Sequence, residues 1–247
     1  AAAAAGTNEY ADVEQVYQIF TDKDDTLHPG GKGMKGRFAG VNKSVPNYYP
    51  GVIELHQQIH EKSSRALTNG LPTVVVSANP TKKNGNIGSI SEISRHLRGI
   101  PVKYLCGEKK ASAQMLRGRY EPMAQVKIKK ITAEVRVTKA AVLDAGFGYN
   151  AIFIGDNGQG DLIAAQELLD QDIIDIALIH NVDYTKVSGM NSVFSHVKRL
   201  LSFKHYNEAI EFLRQFPGLH DLILVGDDTP YEHYLGKDSL FIDQALE

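Results

Sequence analysis

The sequence predicts an α/β fold in which an open parallel sheet is flanked by helices. Three observations predict it. Short apolar runs rich in β-branched residues alternate with amphipathic stretches along the chain. The runs have the length and continuous apolar character of strands buried on both faces. Three of them end directly in acidic or hydroxyl residues, at DKDDT (22–26), SANP (77–80) and GDNGQGD (155–161). In a parallel sheet all three fall on the carboxyl edge, where open α/β folds bind ligands.

Taken in order, Val16-Tyr17-Gln18-Ile19-Phe20 reads as the first strand, ending at Thr21-Asp22. Leu27 to Tyr49 is a glycine-rich connection with Lys32, Lys35 and Arg37 and little periodicity. Pro50 opens a helix with Val52, Leu55 and Ile59 on one face, and Asn69-Gly70 closes the region. Thr73 to Val76 reads as a buried strand ending at Ser77. Ser89 and Glu92 have capping-box spacing, and Ile90, Ile93 and Leu97 follow at helical spacing before Gly99. Val102 to Leu105 is a short strand, followed by a polar stretch and the lysine-rich segment Lys127 to Lys130. Ala151 to Ile154 is another strand, running into Gly155-Asp156; Leu162 to Leu169 is a helix and Ile176 to Ile179 a strand. Val193, Phe194, Val197, Leu200 and Leu201 mark one helix, Tyr206 to Phe212 another, and Leu222 to Val225 a last strand.

Composition narrows the function classes. A formal charge of −2 over 247 residues supplies no basic face for general nucleic-acid binding. Cys106 is the single cysteine, so no intrachain disulfide is expected. No apolar run approaches the ~18 residues of a spanning helix. The opening AAAAAGTNEYADVEQ lacks the basic and leucine-rich segments of a signal peptide. Residues 1–15 read as an N-terminal extension and 16–247 as one domain, with no repeat or long linker dividing it.

The three strand ends together suit phosphoryl transfer. A carboxylate can attack phosphorus, and a second one two residues later can move the leaving-group proton. On a strand running into a turn, residues i and i+2 face the same side, which brings Asp22 and Asp24 to one site. Asp156 and Asp161 add carboxylates that repel one another unless a cation sits among them, which implies Mg²⁺. An isolated DxD is usually a surface turn. An EF-hand reading of the same letters fails, because loop position six is Leu27 and position twelve is Gly33. Cys106 is no cysteine-phosphatase nucleophile, since a C-x₅-R pattern would need arginine where Ser112 stands. GDDTPYE at 226–232, with Asp227 and Glu232, mimics the metal motif but reads as a turn, and His180 reads as a hydrogen-bonded structural histidine.

The order DxDxT, strand-end serine, lysine, GDxxxxD resembles that of the haloacid dehalogenase-like superfamily. DDTL, YPGVI (49–53), VVVSANP, FIGDNGQGD, ALIHNV and FKHYNEAIEF further resemble the catalytic domain of the actin-patch-associated phosphatidate phosphatase family, over about residues 17 to 218. The resemblance implies a three-layer, Rossmann-like sheet with helices on both faces. It implies Asp22 as nucleophile and Asp24 as general acid/base, with Asp24 also giving its backbone carbonyl to Mg²⁺. Asp156 and Asp161 would complete the metal site and Ser77 would hold the phosphoryl oxygens. MAQVK (123–127) is similar to the family's approach to its lysine and favours Lys127, with Lys129, Lys130 and Lys139 as competitors. The sequence departs from the family at Asn79, where arginine is common, and at Lys23, where an apolar residue is common.

The room between Leu27 and Tyr49 suits a small flap rather than a full cap domain. An open site would admit a bulky phosphomonoester, and GGKGMKGR (30–37) could touch an anionic lipid surface or be a plain mobile loop. Phosphatidate as substrate follows from the resemblance alone. A rival from another class is a phospholipid- or phosphoprotein-binding module that keeps the site without turnover. A receiver domain would need about half this length and leaves the second carboxylate of GDNGQGD unexplained.

Overall fold

The computed structural model describes residues 13–23, 26–27, 48–80, 93–95, 97, 99–108, 111, 119–157, 160–181 and 198–225, with backbone alone at 78–80. Six parallel strands form one open sheet: β1 (Gln15–Thr21), β2 (Thr73–Pro80), β3 (Val102–Gly107), β4 (Gly148–Asp156), β5 (Ile176–His180) and β6 (Leu200–Phe203). Their order across the sheet is β3-β2-β1-β4-β5-β6. Four helices are described: α1 (Val52–Ala66), α2 (Glu121–Asp144), α3 (Asp161–Asp170) and α4 (Tyr206–Leu213).

Alternation along the strands divides the core into two layers. Tyr17 and Ile19 of β1 and Ile152 and Ile154 of β4 pack with α1 and α4. Val16 and Phe20 of β1 and Ala151 and Phe153 of β4 pack with α2 and α3. The expected three-layer α/β arrangement is therefore present. Helix α1 forms because Val52, Leu55 and Ile59 return to one face every three or four residues. No described helix is long and apolar enough to cross a membrane.

The lysine-rich segment, to which the sequence assigned no element, belongs to a 24-residue helix, α2. Three expectations need correction. Strand β2 runs three residues past Ser77, to Pro80, with its register against β3 shifting between Val76 and Pro80. Leu200 and Leu201 lie in β6, paired with Ala177 and Leu178, instead of ending a helix. A four-residue apolar run has no period of its own, so the open edge of β5 decided its conformation.

The third correction concerns Leu222 to Val225, which joins no ladder. Side-chain amides of two helices satisfy its backbone instead. Gln58 of α1 donates to the Ile223 carbonyl and accepts its N–H, at 2.9 and 2.6 Å. Asn207 of α4 does the same for Val225, at 2.9 and 2.8 Å. The capping box at Ser89–Glu92, the flap segment, residues 30–37, Asp227 and Glu232 lie outside the described residues. Cys106 is a partly buried cysteine on β3.

Candidate active site

The chain builds outward from β1 through β2 to β3, then crosses to the other side of β1 and builds through β4 and β5 to β6. The crevice at such a switch point lies between the carboxyl ends of β1 and β4. Asp22 is the first residue after β1 and Asp156 the last of β4. The Asp22 N–H donates to the Ile154 carbonyl at 2.9 Å, so bonding between the two strands continues to Asp22.

Asp161 reaches the same crevice from the first turn of α3. Gly160 allows this. It caps α3 at φ +89°, and a Cβ there would lie 2.7 Å from the Tyr120 carbonyl oxygen at the start of α2. Gly155 supplies the second clearance, since a Cβ on it would sit 2.7 Å from both Cβ and Oδ2 of Asp161. The carboxylate of Asp161 then accepts the Asp156 N–H at 3.2 Å. One carboxylate oxygen each from Asp22, Asp156 and Asp161 lies within 4.8 Å of the others, and all three residues are buried.

Lys127 comes from α2. Met123, Lys127, Ile131 and Val135 are spaced four apart and all buried, so the lysine occupies a core position of the helix stripe. Its Nζ lies 3.0 Å from Asp22 Oδ1 and donates a hydrogen bond to Asp161, with the lysine side chain 1% exposed. Burial alone pulls the ammonium down. The carboxylates of Asp161, Asp22 and Asp156 more than reverse this, leaving it well above its ordinary value. The competing lysines do not share this placement. Lys129 and Lys139 are exposed and Lys130 half-buried, and the charge of Lys139 acts on Asp175.

Three carboxyl groups and one ammonium share a crevice lined by buried residues. An oxygen-only donor set of this size is what a hard divalent cation requires, so the residues fit Mg²⁺. They form the only group of this kind among the described residues.

Ser77 is buried on β2, the strand next to β1 on the far side from β4. Asp24 lies outside the described residues. His180 ends β5 opposite Asp156 and is fully buried. Its ring packs between Tyr49, at 4.5 Å, Phe203, at 5.2 Å, and Tyr206, at 5.7 Å, in keeping with a structural role.

A pair of asparagines also links two strand exits at this edge. Asn157 donates from its amide to Asn181 Oδ1 at 2.6 Å, and its N–H donates to the His180 carbonyl at 3.0 Å. These bonds stitch the exits of β4 and β5 together beside Asp156. Only the adjacency of GDN and HN after consecutive strands could have signalled them.

No protein-family model matches the chain, and no curated protein or solved structure matches it.

Proposed function

We propose that this chain is a magnesium-dependent phosphohydrolase of the haloacid dehalogenase-like superfamily, acting on a phosphomonoester through Asp22. The observation that carries the reading is the convergence of Asp22, Asp156 and Asp161 on Lys127 at the sheet's switch point. Exposed acidic clusters are common and mean little. A buried one is costly to hold unless cations join it.

The roles of Asp22, Asp156, Asp161 and Lys127 are supported by their convergence, and those of Asp24 and Ser77 are what the family resemblance implies. Asp22 attacks phosphorus in line, the bond from phosphorus to the ester oxygen breaks, and the leaving oxygen takes a proton from Asp24. Water then attacks the aspartyl-phosphate and gives a proton to Asp24. The bond from Asp22 to phosphorus breaks, inorganic phosphate leaves, and both carboxyl groups return to their starting state. Lys127 sets a fixed positive charge 3.0 Å from Asp22, offsetting repulsion between that carboxylate and an incoming phosphate. Ser77 hydrogen-bonds the phosphoryl oxygens. Asp22, Asp156 and Asp161, with the Asp24 carbonyl, would hold Mg²⁺, which supplies charge neutralisation at the phosphoryl group when bound.

The family resemblance of the motifs favours a bulky substrate such as phosphatidate, presented at a lipid surface. The test is release of phosphate from an aryl phosphate by wild type, by Asp22→Asn and by wild type in chelator. Activity confined to the magnesium-loaded wild type supports the reading. Equal rates in all three would end it, and lipid binding without turnover would favour the binding-module rival.

A further inference from the structure

We infer that Tyr206, 184 residues downstream of Asp22 (206 minus 22), is a positioning residue for the turn that follows the nucleophile. Its kinetic part rests on the phosphohydrolase reading; its structural part does not.

The turn is held from several directions. The Leu27 N–H donates to the Lys23 carbonyl at 3.1 Å, which ties Leu27 back to the residue directly after Asp22. The Tyr49 N–H donates to the Leu27 carbonyl at 3.0 Å. Thr26 and Leu27 are both fully buried. A buried carbonyl without a partner is costly, and the one at Thr26 is satisfied from across the molecule: the Tyr206 hydroxyl donates to it at 2.9 Å.

Tyr206 is itself held tightly. It is the first residue of α4 and is 1% exposed. Its ring lies 5.0 Å from Phe203 in an edge-to-face pair and 5.7 Å from His180, the residue opposite Asp156. Gly51 passes so close that a Cβ there would sit 2.9 Å from the Tyr206 Cβ. The hydroxyl therefore has little freedom, and it transmits the position of α4 to the backbone just beyond Asp22. A nucleophile that must meet phosphorus in line depends on such placement, since errors of about 1 Å cost up to ~100-fold in rate.

Tyr17 provides a matched comparison. It is 3% exposed, and its hydroxyl also donates to a backbone carbonyl, that of Pro217, at 2.6 Å. Tyr206→Phe and Tyr17→Phe thus make the same chemical deletion, and both keep the packed ring.

The experiment measures backbone amide hydrogen exchange and aryl-phosphate kinetics for wild type and the two variants. Tyr206→Phe is expected to raise exchange of the Leu27 and Tyr49 amides about 10-fold while Ile152 and Ile154 in β4 stay protected. It should lower kcat by about 10-fold with KM within about twofold, a loss of 1.4 kcal/mol in transition-state stabilisation. Tyr17→Phe should move neither the turn amides nor kcat. Unchanged exchange at Leu27 and Tyr49, or an equal loss of kcat in Tyr17→Phe, would overturn the inference. If wild type shows no Asp22-dependent turnover, the phosphohydrolase reading fails separately, and the exchange result alone decides whether Tyr206 anchors the turn.

Discussion

Replacing Lys127 with methionine removes the one buried ammonium from a crevice of three carboxylates and leaves the helix stripe almost unchanged in volume. At 3.0 Å and an effective dielectric of ~20, each ion-pair contact amounts to roughly 5 kcal/mol of attraction, most of it offset by the cost of taking the charges out of water. Breaking such a buried pair from one side typically costs about 3–5 kcal/mol, because the carboxylates stay behind unpaired. Lys127→Met in chelator should therefore lose about that much in urea unfolding at pH 7. Asp22→Asn in the same background removes one of the stranded charges. The double variant should recover about 1–3 kcal/mol relative to the sum of the two single changes. Additivity within about 0.5 kcal/mol, or a Lys127→Met loss below about 1 kcal/mol, would refute the view that these groups form one electrostatic unit.

Two further predictions test the scaffold. Gly155→Ala places a Cβ 2.7 Å from the Asp161 carboxylate and should cost about 1–3 kcal/mol while weakening Mg²⁺ binding, as read by urea unfolding and calorimetric titration; unchanged Mg²⁺ affinity would show that Asp161 does not need this clearance. His56 is fully buried on α1, with Nδ1 against the Val52 carbonyl at 2.7 Å and Nε2 lacking a hydrogen-bond partner among the described residues. Burial pulls it down to about 4 from its ordinary 6.5, with the Val52 bond opposing. The unfolded chain therefore binds the extra proton first. Stability from this group is full above pH 6.5 and declines by about 3 kcal/mol as pH falls through 4, a slope that His56→Leu should abolish in urea unfolding followed against pH.

Much of the fold could be read because the inner strands announce themselves. Val74-Val75-Val76 and Ile152-Phe153-Ile154 are fully buried apolar runs, and burial on both faces leaves few alternatives. The edges of the fold were harder. Leu200–Phe203 is four residues long and takes its conformation from the neighbouring strand, while Leu222–Val225 forms no regular element and is bonded by Gln58 and Asn207. Nothing local distinguishes these two outcomes. At the site, Asp22, Asp156 and Asp161 were legible because each follows an unmistakable strand or opens the next helix. Lys127 stood beside Lys129 and Lys130 in the sequence, where the MAQVK resemblance favoured it; its four-residue spacing with the buried Met123, Ile131 and Val135 sets it apart from them in the fold. Tyr206 and the Asn157–Asn181 pair act across long sequence separations, which no single segment records.

The central claim is that Asp22 forms a covalent bond to phosphorus. The direct test is to mix the magnesium-loaded protein with an aryl phosphate, quench within one turnover and treat with borohydride, which reduces an acyl phosphate to an alcohol. Peptide mass spectrometry should then find the reduced side chain at position 22 alone, and nothing at that position without substrate. Turnover with no reducible carboxyl at Asp22, or with the reduced group at Asp156 or Asp161, would contradict the account.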